Sequence, residues 1–198
     1  MPSARGDAVL GHGRTNSERQ GVLAEADEAR LIAETTAVIT AAEGRPPRGW
    51  LGPWISQSRV TPDLLAEAGY SYLLDWCQDD QPIWFATRSG GHILSLPYPQ
   101  ELNDIPSIIA RKDSASQFAD MIIDQFDEML EQSAAMPLVM GIALHPYIVG
   151  QPYRLRHLRR ALAHVAAHRD RVWITTAGAI AAQVAALPEG TVPGPAAA

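Results

Sequence analysis

Two histidines in this sequence stand where an apolar segment gives way to a loop. His12 lies between two glycines in LGHGRTNSERQG, and His145 ends the apolar run PLVMGIALH. Imidazole exchanges a proton near neutral pH and is also a common ligand of zinc. The two positions therefore predict proton transfer or metal binding, although each could instead be a histidine that is hydrogen-bonded to the backbone.

Other polar side chains lie on loops that could border the same site. They are Asp75, Asp79 and Asp80 in DWCQDD and the pair Asn103 and Asp104 in LNDIP. Any of these groups could hold His145 in the right tautomer or bind a substrate amide. The adjacent Asp79 and Asp80 could equally form a solvated turn.

The tryptophans, the cysteine and the other histidines are less specific indications of a functional site. Trp50, Trp76 and Trp84 could stack on a sugar or a planar ring, and they could equally belong to the core. Cys77, the single cysteine, excludes an internal disulfide, and its acidic neighbours are expected to raise the thiol pKa, which disfavours a nucleophile. A histidine pair four residues apart, at 164 and 168, can chelate zinc, but surface histidines are the expected reading.

The spacing of apolar residues predicts alternating strands and helices. Strands are predicted at Tyr70–Trp76, His92–Tyr98, Pro137–His145 and Arg171–Thr175. Helices are predicted from about 19 to 43, from an N-cap at Thr61 to a stop at Gly69, behind Ser114 as far as Leu130, from about 153 to 168, and over 177–187. Capping boxes, Ser17 with Gln20 and Ser114 with Gln117, are predicted to begin two of the helices. Strands that alternate with helices indicate an α/β protein with a mostly parallel sheet.

Length and charge narrow the class of protein. A chain of 198 residues fits one domain, and its formal net charge of −6 argues against nucleic acid and anionic membrane as partners. The segment RLRHLRR, at 154–160, is predicted to be a solvated helix face. The sequence contains neither a signal peptide nor an apolar run near the roughly 18 residues of a membrane span, so a cytoplasmic protein is expected.

Several segments together resemble the polysaccharide deacetylase (NodB-homology) family, in a branch that includes metal-independent allantoinases. The segments are GHGRTNSERQG, PPRGWLGPW, TPDLLAEAGYSYLLDWCQDDQPIW, LSLPYPQELNDIP, FADMIIDQFDEMLEQ and MGIALHPYIVGQPYRLRHLRRAL. The resemblance implies an α/β fold, an incomplete and distorted (β/α) barrel with its active site at the carboxyl ends of the strands. It implies one partial domain over residues 1–187, with 188–198 as a flexible tail.

The resemblance also implies roles for individual residues. His145 matches the family's late histidine, the general acid toward the departing nitrogen, and Asp75 is assigned a catalytic role beside it. His12 matches the first histidine of the family's metal motif, whereas Asn16, a poorer zinc ligand, stands in place of the second. Both a zinc-dependent and a metal-independent enzyme are therefore expected alternatives. Substrate binding is assigned to Trp50, Asp79, Asn103 and Asp104.

One departure from the family pattern affects the predicted activity. The family's Phe-Asp-Asp-like run, which supplies the base and a metal ligand, is missing, so we expect a chain that lacks the first strands, as a fragment or as one of two subunits. The predicted function is hydrolysis of a non-peptide carbon–nitrogen bond in an N-acetyl sugar or a cyclic ureide or amide. The alternative is an inactive fragment or binding module that retains the fold. An exposed sheet edge is also expected to favour a homo-oligomer.

Overall fold

The structure, a computed structural model, describes residues 6–195, and these residues group into two units. Unit 1 contains the described residues within Met1–Trp76, Pro82–Leu96 and Thr175–Ala198, and unit 2 contains Cys77–Gln81 and Pro97–Ile174. Each unit is described by itself.

The chain forms five short strands and six α-helices among the described residues. The strands are β1 (Leu10–Gly11), β2 (Gly49–Trp50), β3 (Tyr72–Leu73), β4 (Ile83–Ala86) and β5 (His92–Ser95). The helices are α1 (Glu25–Glu43), α2 (Thr61–Glu67), α3 (Ala115–Gln132), α4 (Pro146–Val149), α5 (Pro152–Ala167) and α6 (Ala177–Ala185). Two 3₁₀ turns, Gln20–Val22 and Pro53–Ile55, and a π-helical segment, Ile105–Arg111, complete the set.

Unit 1 is built on one open sheet in the order β1-β2-β3-β5-β4. The first three junctions are parallel, and β4 pairs with β5 in the antiparallel direction. Apolar residues of α1 and α2 pack on one cluster with Trp50, and residues of α6 join Tyr72 and Leu94 in a second cluster. The predicted α/β class with a mostly parallel sheet is therefore confirmed, and the sheet is not closed.

Unit 2 is held together mainly by α3, α4 and α5. The apolar face of α3, with Phe118 and Ile122, packs against residues of α5 and against Ile148 of α4. The predicted capping box is present, since Ser114 accepts a hydrogen bond from the Gln117 amide and the Gln117 side chain accepts one from the Ser114 amide. Two reciprocal hydrogen bonds thus fix where α3 begins.

Two of the predicted strands are wrong. The run Pro137–His145 forms only an isolated parallel bridge between Ala143 and Asn103. Outside the bridge, the Val139 amide donates to the Asp80 carbonyl, which lies in a loop and not in a neighbouring strand. Residues 171–175 form no strand, and Trp173 is 60% exposed. The antiparallel strand β4, conversely, was not predicted.

The predicted capping box at Ser17 and Gln20 is also wrong. α1 begins at Glu25, and the Gln20 side chain is fully buried, where it donates to Glu28 and accepts from Trp50. The Gln20 side chain therefore belongs to a buried network of tertiary hydrogen bonds, although its spacing from Ser17 predicted a role at a helix end.

The predicted tail, 188–198, is described as far as residue 195. Within it the Pro193 carbonyl accepts a hydrogen bond from the Trp84 amide.

None of the helices described is both long and apolar enough to cross a membrane.

Candidate active site

The carboxyl ends of β1, β2 and β3 lie side by side in unit 1 because the three strands are adjacent and parallel. His12 directly follows β1, Leu51 and Gly52 follow β2, and Asp75 lies two residues beyond β3. In α/β proteins this edge of the sheet carries the functional loops. The structure therefore brings three of these loops together in unit 1.

His12 is exposed, and one of its ring nitrogens is bound to the backbone. Its Nδ1 lies within hydrogen-bonding distance of the Leu51 carbonyl oxygen. Gly13 has a φ of +67° and packs closely on Pro53, so a side chain at Gly13 would be obstructed. The sequence allowed His12 to be a histidine that is hydrogen-bonded to the backbone, and His12 makes such a contact through Nδ1. Its other ring nitrogen, Nε2, takes no part in this contact.

Asp75 is nearly inaccessible, with 5% of the residue exposed. Its Oδ1 accepts a hydrogen bond of 2.5 Å from the Gly52 amide, and among the described residues Oδ2 has no hydrogen-bond partner. Burial raises the pKa of the carboxyl from 3.8 to about 7; the Gly52 hydrogen bond opposes this shift, and the charge of Glu28 adds to it. A group so buried is not placed to touch a substrate.

Trp50 was predicted to bind substrate, but the structure places it in the core. The residue is 0% exposed, its ring meets Tyr70 edge-on at 5.4 Å, and its indole N–H donates to Gln20. Gln20 in turn donates to Glu28, a carboxylate that also accepts from Ser58. The indole therefore anchors a buried polar network under β2 and offers no face to a ligand.

Trp54, for which the sequence predicts no role, is the exposed tryptophan of the β2 loop. It is 55% exposed and has a φ of +62°, an unusual backbone conformation for a bulky residue. Its indole N–H donates to the backbone carbonyl of Asn16 at 2.8 Å, and the Arg19 guanidinium lies 5.2 Å from the ring centroid. The exposed Asn16 thus contacts this loop through its backbone. The strained conformation depends on tertiary contacts, so no local pattern could have indicated it.

A cavity of about 640 Å³ lies elsewhere in unit 1 and is not the candidate site. Its lining includes Val9, Pro47 and Ser71, which precede β1, β2 and β3, as well as residues of α6. These positions mark the amino ends of the strands. In unit 1 the chemistry-bearing residues follow the carboxyl ends of the strands, so the candidate residues of this unit lie there and not at this cavity.

Unit 2 holds the second histidine in a dyad with Asp104. The His145 Nδ1 lies 2.6 Å from Asp104 Oδ1, and the His145 backbone amide donates to Asp104 Oδ2 at 2.7 Å. Asp104 is 0% exposed, whereas 28% of the His145 side chain is exposed. Both oxygens of one buried carboxylate thus hold one histidine, which fixes the orientation of its ring.

Local backbone structure places both members of this dyad. The parallel bridge between Asn103 and Ala143 sets Asp104 beside the segment that leads to His145. Asn103 uses its side chain to accept a hydrogen bond from the Ile105 amide, which makes it a turn residue at the start of the π-helical segment. The His145 carbonyl accepts from two amides of α4, and Pro146 begins that helix. The partner of His145 is therefore a carboxylate rather than a backbone carbonyl.

Asp79 and Asp80 border a cavity of about 340 Å³ in unit 2, whose lining includes Tyr98 but neither Asp104 nor His145. Both residues are exposed, and the Asp79 carboxylate accepts from the Asp80 amide, as in a solvated turn. Burial, then the charges of Asp79 and Glu101, raise the pKa of the Asp80 carboxyl.

The described residues do not assemble the ligands that zinc requires. Catalytic zinc sites use three protein ligands, and no group of three or more His, Cys, Asp or Glu side chains in residues 6–195 is placed to hold a metal ion. His12 could supply one nitrogen through Nε2, and the Asn16 amide is a weak second donor. No chemical step is therefore assigned to a metal here.

The remaining candidate groups have other partners. His164 lies 2.6 Å from an Asp127 carboxylate oxygen and so links α5 to α3. His168 donates to the His164 carbonyl at the end of α5. Partial burial is the main factor that raises the pKa of the Cys77 thiol, with Glu101 adding to it. A thiol that stays protonated near neutral pH is a poor nucleophile, as the acidic sequence around it indicates.

Comparison with known proteins gives relatives by sequence and by structure, although no family model matches the chain. A peptidoglycan deacetylase of Helicobacter pylori is 23% identical over 201 residues, which cover 86% of this chain and 68% of that protein. The solved structure of Puue allantoinase is 27% identical with a TM-score of 0.86, covering 96% of this chain and 62% of that one.

A second solved structure, of a probable polysaccharide deacetylase from Pseudomonas aeruginosa PAO1, is 28% identical with a TM-score of 0.80, covering 91% of this chain and 60% of that chain. This chain thus spans less than two thirds of either solved structure. Sequence relatives and fold agree, and they confirm the resemblance to the polysaccharide deacetylase family that the motifs of this chain indicate.

Proposed function

We propose that this chain hydrolyses a non-peptide carbon–nitrogen bond, with His145 as the general acid. The observation that carries the proposal is the dyad in unit 2, in which Asp104 holds the His145 ring through Nδ1 and the His145 backbone through its amide. A carboxylate accepts hydrogen bonds, so Nδ1 carries a proton, and Nε2 is the nitrogen left to exchange a proton with a substrate.

The chemistry follows from what amide hydrolysis requires. Water adds to the carbonyl carbon, the carbon–nitrogen bond then breaks, and the departing nitrogen must gain a proton. Nε2 of His145 takes up the proton that the attacking water loses and passes it to the departing nitrogen, so the ring ends neutral as it began. Asp104 keeps the ring in place throughout and does not itself touch the substrate. Asp104 is thus proposed as a positioning residue, which is one of the two roles that the sequence left open for it, and not as the substrate-binding residue to which it was assigned.

The relatives support two substrate classes. One relative is a peptidoglycan deacetylase and another is an allantoinase, so an N-acetyl sugar and a cyclic ureide are both proposed substrates. His12 is proposed as a ligand of the substrate or of a metal, through Nε2. A cytoplasmic location, a single domain over residues 1–187 and a homo-oligomer remain predictions.

The test is a hydrolysis assay of the purified chain. N-acetylglucosamine oligomers, allantoin and cyclic imides are supplied separately, and release of acetate or opening of the ring is followed. We expect turnover of at least one substrate, a loss of at least about 100-fold in His145→Ala, and no loss in His157→Ala, a matched histidine variant on α5.

Two results would contradict the proposal. A His145→Ala variant as active as the unmodified chain would remove the proposed acid. Saturable binding of a substrate without any turnover would instead favour the alternative, a binding module that retains the fold.

A further inference from the structure

A single peptide unit, between Leu51 and Gly52, joins His12 to Asp75. Its carbonyl oxygen contacts Nδ1 of His12, and its N–H donates to Oδ1 of Asp75. The described chain contains no cis peptide bond, so the carbonyl and the N–H of this rigid plane point in opposite directions. The exposed imidazole and the buried carboxylate therefore hold the plane from its two edges.

The contact with Leu51 determines which tautomer of His12 is present. A backbone carbonyl can only accept a hydrogen bond, so Nδ1 must carry the proton of the neutral ring. The lone pair is then on Nε2, which can accept a proton or bind an electrophile. In water, by contrast, nothing holds a histidine side chain in one tautomer.

The opposite side of the peptide is packed so that it cannot easily shift. A Cβ at Gly52 would lie 2.6 Å from the Ser56 carbonyl oxygen, 3.2 Å from Gln20 Oε1 and 3.4 Å from Asp75 Oδ1. Asp75 itself is 5% exposed and lies beyond the end of β3. Its carboxylate supplies the hydrogen bond that satisfies the buried Gly52 amide, and an unsatisfied amide there would be costly.

From these contacts we propose that Asp75 is a positioning residue that acts on His12 through the Leu51–Gly52 peptide and keeps the ring in the Nδ1–H tautomer. The role replaces the catalytic one that the sequence suggested for Asp75. The importance of this positioning role for catalysis rests on the proposed function, in which Nε2 of His12 binds a substrate or a metal. The tautomer itself, however, can be measured without either.

The experiment is nitrogen–proton correlation NMR of the ¹⁵N-labelled full chain, at a pH where the histidines are neutral. The His12 signals are assigned by their loss in His12→Gln. We expect Nδ1–H as the main form in the unmodified chain and in Asp75→Asn, whose amide oxygen still accepts from Gly52. In Asp75→Ala the Nε2–H form should become at least about half of the population, because the peptide is released.

His145 provides an internal control, because Asp104 holds its Nδ1 in the other unit and its signals should not change in any Asp75 variant. The proposal is overturned if His12 in the unmodified chain is mainly Nε2–H, or if Asp75→Ala folds and leaves the His12 tautomer unchanged. If Asp75→Ala does not fold, the test rests on the unmodified chain and on Asp75→Asn. His12 found mainly in the Nε2–H form in either of these proteins overturns the proposal. None of these outcomes depends on whether the chain hydrolyses a substrate.

Discussion

At the scale of single residues, the sequence identified the candidate histidines from their surroundings, but it could not select the partner of His145 from several polar groups. His12 and His145 each follow an apolar segment, a pattern that indicates a loop at the end of a strand. Asp104 was one of five polar candidates, and only the structure shows that it contacts His145. Such a pairing spans 41 positions along the chain, and no local pattern encodes it.

The structure buries one tryptophan of the β2 segment and exposes another, and their sequence context does not predict this difference in exposure. Trp50 and Trp54 lie in the same loop-rich segment, yet Trp50 is 0% and Trp54 is 55% exposed. Trp54 is therefore the better aromatic surface for a sugar or a planar ring. We expect Trp54→Ala to raise KM about tenfold with little change in kcat.

Trp54→Phe is the matched control, and it should keep KM within about threefold because an aromatic face remains. Steady-state kinetics on the substrate found in the hydrolysis assay measures both values. A Trp54→Ala variant with an unchanged KM would show that the ring does not contact the substrate.

The raised pKa of Asp75 predicts how stability depends on pH. The folded chain holds this carboxyl neutral up to about pH 7, whereas an unfolded chain ionises it near 3.8. The stability that the neutral group contributes is therefore fully present below 3.8 and is lost as the pH rises toward 7. Asp75→Asn cannot ionise, so its stability relative to the unmodified chain should increase by about 3 kcal/mol between pH 4.5 and pH 8.

Urea unfolding of both proteins at the two pH values measures this difference. Comparison of two nearly identical chains cancels the contributions of all other titrating groups. A difference in unfolding free energy that stays constant from pH 4.5 to pH 8 would contradict the account of Asp75.

At the scale of elements, helices were predicted better than strands because the signals for a helix are local. The Ser114 capping box and the predicted end of the first helix at residue 43, before Gly44, both mark ends that the structure confirms. Strands depend on a partner far along the chain. Pro137–His145 has the composition of a buried strand, but its backbone finds an isolated bridge in place of a neighbouring strand.

The capping box of α3 can be tested directly. Ser114→Ala removes the oxygen that accepts from the Gln117 amide, so we expect it to lower the free energy of unfolding by about 1 kcal/mol. Ser116→Ala lies in the same helix without a capping role and should change stability by less than about 0.5 kcal/mol. Equal losses in the two variants, measured in urea, would show that the cap contributes nothing special.

At the scale of the whole molecule, the resemblance to a family indicated a type of chemistry, which the pattern of strands and helices alone does not indicate. Alternating elements predicted an α/β protein, and the motifs pointed to a particular family with a known type of chemistry. The relatives agree with both, although the chain spans only 62% and 60% of the two solved structures. The proposed hydrolysis therefore rests on residues of this chain itself, and the dyad in unit 2 is the strongest observation in its favour.

A double-mutant cycle on His145 and Asp104 tests that central claim most directly, using kcat/KM on the substrate that the assay identifies. Because Asp104 acts only through His145, the account predicts that His145→Ala and the double variant His145→Ala/Asp104→Ala are equally slow, within about twofold. Asp104→Ala alone should lose about 10- to 100-fold. Losses that multiply in the double variant would contradict the account, since they would mean that the two residues act independently.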